Sequence, residues 1–140
     1  AAEAARPVPR FVSLRAGEVN LRSGPGTRYP VEWVLTRQAM PIEVVAEFEH
    51  WRKVRDREGT EGWVHQRALA PKRTVIVQGS VQSIRRDPGS EAKVVARVEP
   101  GVIGRLVNCK EGWCRIETAG VRGWLPRDRL WGVYPGEKID

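Results

Sequence analysis

The sequence VNLRSGPGTRYP at Val19–Pro30 joins a short strand pattern to a loop rich in glycine and proline. Its first four residues alternate apolar and polar side chains, as a half-buried β-strand does. The remaining residues hold two glycines and two prolines, which exclude regular structure and make a turn-rich loop. A shorter copy follows at Gln82–Gly89, QSIRRDPG. The two stretches indicate an internal duplication.

The duplication keeps its register along the chain. Leu21 and Ile84 lie 63 positions apart (84 − 21), and Trp51 and Trp113 lie 62 apart (113 − 51). The Gly-Trp pairs that end at Trp63 and Trp124 are 61 apart (124 − 63). Two single-residue deletions therefore separate the copies, and we assign both to loops, because a slip inside a strand would turn every side chain to the wrong face. A repeat of about 60 residues has the size of a small domain.

Composition favours two small all-β domains. The chain has 140 residues with 14 glycines and 10 prolines spread along it, which is typical of many tight turns between short strands. No apolar run approaches the length of a transmembrane segment. The net charge is +7, of which residues 71–140 carry +5 (thirteen basic, eight acidic side chains). This excess could serve an anionic surface such as nucleic acid, glycan or lipid, or simply form a solvated exterior.

We divide the chain into a flexible N-terminal segment, residues 1–10, a first domain, residues 11–70, and a second domain with a C-terminal tail, residues 71–140. The first residue is Ala1 and the segment lacks an apolar core, as expected at the start of a mature exported protein or at an expression boundary. The linker Ala70–Arg73 is so short that we expect the two domains to pack together as one rigid body. The apolar tail Trp131–Tyr134 could then cover both.

The sequence pattern of each repeat predicts five or six short strands, with one helical turn before the last segment. The pattern resembles the bacterial SH3-like domain, which has N-x-R-x-G-P-G after its first strand, then W-x-x-V and G-W-V. The resemblance implies an all-β fold of two tandem small SH3-like β-barrels. In the second repeat Ser83 and Asp87 replace the Asn and the first Gly of the loop. The tail resembles the ending of exported SH3-domain proteins of Gram-negative bacteria. The matching stretches are Asn20–Gly26, Trp51–Val54 and Gly62–Val64.

Cys109 and Cys114 flank the tip of a predicted hairpin in the second repeat. Residues facing each other across such a hairpin bring their Cβ atoms within disulfide distance. The matched residues of the first repeat are Glu47 and Arg52, an opposite-charge pair, which agrees with cross-strand contact in both copies. A metal site lacks further ligands, since both histidines lie in the other repeat, and the spacing is not that of a redox C-x-x-C motif. We therefore predict a structural disulfide and an oxidising compartment.

Strand alternation places two tryptophans of each repeat on the outer side of its sheet. If Val54 and Val64 face the core, then Trp51 and Trp63 face outward. Such a pair could form a platform for sugar rings or for a peptide strand. The other interpretation is that the glycine-proline loop covers these rings and makes a second small core. If a ligand binds, we expect it on the first repeat, at Asn20, Arg22, Tyr29, Trp51, Lys53, Trp63 and Arg55.

The sequence contains no pattern of a catalytic triad, zinc protease, phosphate loop or paired carboxylates, so we do not expect an enzyme or a cofactor. His50 and His65 are interpreted as surface residues. The first functional hypothesis is a periplasmic or secreted binding module that contacts cell-wall glycan or peptide, or an envelope protein. The second is a basic SH3-like protein that binds nucleic acid inside the cell, which the Arg85-Arg86 and Lys72-Arg73 pairs would favour.

Overall fold

The structure, a computed structural model, describes residues 7–140 and divides the chain into two compact units. The first unit runs to Lys72 and the second begins at Arg73. Within the described part of the chain, no helix is long and apolar enough to cross a membrane. Residues 1–6 of the predicted N-terminal segment lie outside the described residues, and Arg10 already opens the first strand.

The first unit is one antiparallel sheet of short strands. Among the described residues, the strands are β1 Arg10–Leu14, β2 Val19–Arg22, β3 Val31–Leu35, β4 Pro41–Phe48, β5 Trp51–Arg55, β6 Glu61–His65 and β7 Leu69–Ala70. Their order in the sheet is β3-β2-β6-β5-β4-β1-β7. A 3-10 turn, Gln66–Ala68, precedes the last strand.

The strands of the second unit are β8 Thr74–Val77, β9 Gln82–Arg85, β10 Val94–Val98, β11 Ile103–Lys110, β12 Trp113–Thr118, β13 Val121–Pro126 and β14 Leu130–Trp131. This unit repeats the topology of the first strand for strand, since its order β10-β9-β13-β12-β11-β8-β14 equals the first with seven added to each label. A 3-10 turn, Arg127–Arg129, again precedes the last strand. The all-β class and the duplicated architecture predicted above are confirmed.

Each sheet encloses its own apolar core, as strand alternation predicts. In the first unit Leu21, Val54 and Val64 are almost completely buried, whereas Trp51 and Trp63 are only half-buried on the other face. In the second unit Ile84, Ile116 and Leu125 are equally inaccessible. The inward positions are therefore correct in both repeats.

The Gly-Trp pairs have a steric origin. Gly62 on β6 and Gly123 on β13 face inward, beside the neighbouring strands β2 and β9. A Cβ atom at Gly62 would lie 2.7 Å from Leu21 Cβ, and one at Gly123 would lie 2.4 Å from Ile84 Cγ2. Only a residue without a side chain allows such an approach. The repeated glycine is thus a packing requirement of the barrel.

The sequence predicted a helical turn before the last segment of each repeat, and the structure shows that those last segments are the short strands β7 and β14. Leu69 and Ala70 pair with β1, so part of the predicted linker is strand. The linker residue Lys72 accepts a hydrogen bond through its carbonyl oxygen from the hydroxyl of Ser13 (2.7 Å). In the tail, Trp131 pairs with β8 and Val133 is buried in the core of the second unit.

Candidate functional site

The outer face of β2, β6 and β5 in the first unit gathers most of the predicted site residues. Cross-strand partners on this face are Trp51 and His65, Lys53 and Trp63, and Trp63 and Arg22. Asn20 lies two residues before Arg22 on β2, so it shares that face. The strand register therefore places two rows of aromatic and polar side chains beside each other.

One of these rows borders a cleft of about 280 Å³. Of the predicted residues, Asn20, Arg22 and Trp51 line the cleft, and Asn20 is exposed there. Trp63, Tyr29, Lys53 and Arg55 are not among its lining residues. The lining residues are Glu18, Val19, Asn20, Arg22, Thr27, Trp51, His65 and Ala68.

His65 forms part of the wall of this cleft. From the sequence alone it was interpreted only as a surface residue. Its ring meets the Trp51 ring edge-on, with centroids 5.5 Å apart, and stacks with His50 at 6.2 Å. Its Nδ1 accepts a hydrogen bond from the Arg67 N–H (3.1 Å), which caps the 3-10 turn. Burial lowers the pKa of His65, and the charges of Arg67 and Arg52 and the His50 ring lower it further. The ring is therefore neutral at pH 7.

The glycine-proline loop closes on the side chain of Tyr29. A Cβ atom at Gly24 would lie 2.5 Å from Cδ1 of that ring, so the ring packs directly on the Gly24 backbone. The Arg28 guanidinium lies 5.0 Å from the ring centroid and donates a hydrogen bond to the Tyr29 hydroxyl (3.1 Å). Arg22 donates hydrogen bonds to the carbonyl oxygens of Thr27 (3.2 Å) and Tyr29 (2.9 Å). Tyr29 and Arg22 therefore shape the loop above the cleft.

Gly24→Ala is expected to lower the free energy of unfolding of the first unit by about 2 kcal/mol, because the added methyl group collides with the Tyr29 ring. Tyr29→Ala removes the ring, so the double variant should be less unstable than the sum of the single variants. Urea unfolding of the three variants measures this coupling, expected to exceed about 0.5 kcal/mol. Strictly additive effects would contradict the packing explanation. The second repeat differs from the first at both of these positions, since Asp87 stands in place of Gly24 and Ala92 in place of Tyr29.

Lys53 and Arg55 are held by acidic side chains of the sheet. Lys53 Nζ lies 3.6 Å from a Glu61 carboxylate oxygen, and Arg55 NH1 lies 3.6 Å from the other. Arg55 NH2 also donates to Glu43 Oε1 (2.7 Å). These ion pairs lie along the second row, beside Trp63. The positive charge predicted beside the tryptophans is thus largely balanced within the sheet.

The second unit differs from the first in the residues that it places at the matched positions of this face. Trp124, matched to Trp63, is only 6% exposed, which in this unit favours the interpretation that the outward ring is covered. Pro126 replaces His65 as the partner of Trp113. Arg85 keeps the role of Arg22, donating to the carbonyl oxygen of Ala92 (2.8 Å). The loop support is therefore shared by the repeats, but the cross-strand pair of tryptophan and histidine is replaced by a pair of tryptophan and proline.

Cys109 and Cys114 form the predicted disulfide, and they are direct cross-strand partners. Their counterparts Glu47 and Arg52 are also partners, with Arg52 Nε 3.4 Å from the Glu47 carboxylate. A covalent bond in one repeat thus stands where an ion pair stands in the other. Within residues 7–140, no group of three or more His, Cys, Asp or Glu side chains is placed to hold a metal ion.

Comparisons with known proteins agree with the duplicated fold. The family model described as bacterial SH3 domain matches residues 15–71 and 78–132. The putative N-acetylmuramoyl-L-alanine amidase YrvJ of Bacillus subtilis (strain 168) is 25% identical over 126 residues, which cover 77% of this chain and 24% of that protein. The chain therefore spans about a quarter of the length of this curated relative.

Two solved structures are similar over most of the chain. They are NlpC1 and NlpC2 from Trichomonas vaginalis, each with a TM-score of 0.41 and 15% sequence identity. Both alignments cover 97% of this chain, and they cover 49% and 52% of the two structures.

Proposed function

Because this chain belongs to the bacterial SH3 domain family, whose model matches both repeats, we propose that it is a non-catalytic binding module of the bacterial cell envelope. Its ligand is cell-wall peptidoglycan, bound in the cleft of the first unit. The observation that carries this proposal is the cleft itself, which brings Trp51, His65 and Asn20 together on one face.

The chemistry of the cleft suits a neutral, partly apolar ligand. The Trp51 ring offers a flat surface on which a sugar ring or a peptide segment can stack. The exposed amide of Asn20 can both donate and accept hydrogen bonds beside it. His65 is neutral and donates through Nε2, since its Nδ1 already accepts from Arg67. Recognition would therefore depend on stacking and hydrogen bonds rather than on charge.

Two further observations support an envelope location. The name of the Bacillus relative describes an amidase of N-acetylmuramoyl-L-alanine, a conjugate of an amino sugar and an amino acid. The Cys109–Cys114 disulfide fits the oxidising conditions outside the cytoplasm. A periplasmic or secreted location would agree with both observations.

Nucleic-acid binding inside the cell is the second candidate, favoured by the charge of +5 on residues 71–140. Several of the arginines concerned are already engaged. Arg105 and Arg122 both pair with Glu117, at 3.2 Å and 2.9 Å, and Arg86 pairs with Asp87 at 3.3 Å. These pairs reduce the positive field that a phosphate backbone would meet. The same ion pairs reduce the attraction to an anionic surface such as a layer of lipid headgroups.

A pull-down on purified peptidoglycan tests the envelope proposal. We expect Trp51→Ala to weaken binding about tenfold or more, as the loss of a central aromatic contact does. Asn20→Ala should weaken it less. Trp33→Ala is the matched control, because Trp33 is 57% exposed on β3 of the same unit and does not line the cleft. Circular dichroism and thermal melting should show that each variant remains folded.

Binding measured at high salt distinguishes a stacked complex from one held by charge attraction. At 1 M salt the Debye length falls to about 3 Å, so a charge-driven complex dissociates while a stacked complex persists. We expect binding to persist. Binding that disappears in salt and is unchanged in Trp51→Ala would contradict the cleft and favour attachment through the basic second unit. An equal loss of binding in Trp33→Ala would instead indicate that the ligand contacts β3.

A further inference from the structure

Each of the two sheets ends in an edge strand of five residues, β3 in the first unit and β10 in the second. Among the described residues, β3 pairs only with β2, and β10 pairs only with β9. The backbone N–H and C=O groups that point away from these neighbours can therefore accept another strand. The edge strands at the other end of each sheet, β7 and β14, are only two residues long and offer little to a partner.

Both of the longer edge strands carry exposed apolar side chains. The ring of Trp33 on β3 is the most exposed of them. Edge strands are usually protected by charged side chains or proline, because an apolar edge pairs with other chains. Contiguous exposed apolar residues therefore mark these edges as interaction surfaces. The residues concerned are Val31, Trp33 and Val34 on β3, and Val94 and Val95 on β10.

We propose that β3 of one molecule pairs in antiparallel fashion with β10 of a second molecule of the same chain, so that two sheets join edge to edge. Each of these strands holds a single charged residue, Glu32 on β3 and Arg97 on β10, and the two charges are opposite. Both side chains are exposed, and neither makes an ion pair with another described residue. The proposal depends neither on the cleft of the first unit nor on peptidoglycan binding.

The register of this pairing follows from the side of the sheet that each residue occupies. Trp33 is the cross-strand partner of Leu21, and Ala96 is the cross-strand partner of Ile84. Leu21 and Ile84 are core residues, so Trp33 and Ala96 lie on the core side of their sheets. Residues that face each other across two strands must lie on the same side. Trp33 opposite Ala96 meets this condition, and it places a large side chain against a small one.

The residues next to this central pair lie on the outer side of each sheet by strand alternation. Antiparallel pairing then puts Glu32 opposite Arg97 and Val34 opposite Val95. Opposite charges and β-branched apolar side chains both stabilise a pair of strands when they lie directly across from each other. The edges of β3 and β10 are therefore complementary in charge, in size and in apolar surface.

Pairing of two like edges is less favourable. In a β3–β3 pair with Trp33 opposite its own copy, Glu32 would face Val34. In the corresponding β10–β10 pair, Arg97 would face Val95. Each of these arrangements sets two charges against apolar side chains and brings two like charges into one short contact. The unlike pair avoids both costs, so the charges select β3 with β10.

A β-bulge in each strand limits the length of the contact. The pairing of β3 with β2 shifts by one residue at Glu32, and the pairing of β10 with β9 shifts by one residue at Val95. Beyond these bulges the alternation is broken, so about three residue pairs can match. Such a contact buries much less than the roughly 1,200 Å² of a standard stable interface. We therefore expect a dissociation constant on the order of 0.1–1 mM.

Sedimentation equilibrium of the full chain, at concentrations up to about 1 mM, tests the proposal. We expect the weight-average mass to rise with protein concentration. Glu32→Arg or Arg97→Glu alone should weaken the association about tenfold, because like charges then lie directly opposite each other. An equimolar mixture of the two variants should recover the association. In that mixture the new arginine on β3 of one variant faces the new glutamate on β10 of the other.

Matched controls lie in the turn between β5 and β6, where Arg57 and Glu58 are exposed. Glu58→Arg and Arg57→Glu change the net charge by the same amounts as the edge variants, and they should leave the association unchanged. Circular dichroism should show that every variant remains folded. Trp51→Ala should associate as the unmodified chain does, so failure of this proposal and failure of the peptidoglycan proposal remain distinguishable.

Three results would overturn the proposal. The first is a mass that stays at that of one chain over the whole concentration range. The second is association that Glu32→Arg weakens and Arg97→Glu does not, with no recovery in the mixture, which would indicate pairing of β3 with β3. The third is an equal loss of association in the control variants, which would indicate a general effect of net charge.

Discussion

Alanine at Gly123 is expected to destabilise the second unit by about 3 kcal/mol or more, whereas alanine at Gly62 should cost the first unit about 1–2 kcal/mol. The two glycines occupy matched places but meet different neighbours. A Cβ atom at Gly123 would lie 2.7 Å from the carbonyl oxygen of Arg85, a backbone atom that cannot move without shifting β9. At Gly62 the shortest contact is with Leu21 Cβ (2.7 Å), which the β2 backbone also fixes, but the other close atoms, Leu21 Cγ and Cδ2, can move by a change of rotamer, so part of the collision can be relieved.

Urea or thermal unfolding that resolves the two units measures the difference. Gly112→Ala and Gly17→Ala are suitable controls, because a Cβ atom at either position meets no atom within 4 Å. Neither control glycine has a positive φ, so alanine fits the backbone there. If Gly123→Ala were no more destabilising than Gly112→Ala, the close approach of β9 and β13 would not be the reason for the glycine of the Gly-Trp pair.

Arg127→Met is expected to lower the free energy of unfolding of the second unit by about 2–3 kcal/mol. Arg127 is 9% exposed, and its guanidinium satisfies carbonyl oxygens of Glu111, Tyr134 and Glu137. Methionine keeps much of the volume but leaves these acceptors without their donor, and a lost hydrogen bond to a buried group costs about 1–3 kcal/mol. Partial hydration of the tail carbonyl groups limits the total.

The matched control is Arg129→Met in the same 3-10 turn, where the side chain is half exposed and lies 3.9 Å from Asp128. It should change stability by less than about 0.5 kcal/mol. Hydrogen exchange gives a second measurement, because the Cys109 N–H donates to the Ile139 carbonyl oxygen (2.8 Å). In Arg127→Met this amide should exchange faster as the tail loosens. Unchanged protection with unchanged stability would show that Arg127 does not fasten the tail.

Several features of this protein follow from local sequence rules. Period-two alternation identified Val54 and Val64 as inward residues, because a strand can bury only one of its two faces against the core. The 62-residue offset identified Cys109 and Cys114 as the counterparts of Glu47 and Arg52, and both pairs lie across the same hairpin. Register and spacing are properties of the chain itself, so repeated motifs reveal them.

The sequence predicted ligand-binding residues but no cleft. Asn20, Arg22 and Trp51 are three of those residues that line the candidate cleft, and they are close because β2, β6 and β5 are neighbours in the sheet. His65 was missed, since a histidine after a Gly-Trp-Val motif carries no sequence signal of a cleft. Its cross-strand position opposite Trp51 could have been inferred once the hairpin register was known.

Alternation tells which face a side chain occupies but not what covers that face. Trp63 and Trp124 occupy matched outward positions, yet one is half-buried and the other is buried. The hairpin tip depends on tertiary contacts in the same way. In the first unit Arg52 donates to the Glu49 carbonyl oxygen, and in the second, where Cys114 replaces that arginine, Arg127 donates to the matched Glu111. The Arg52 contact spans only three residues of the hairpin, whereas Arg127 lies 16 residues from Glu111, so only the folded structure decides that the second contact replaces the first.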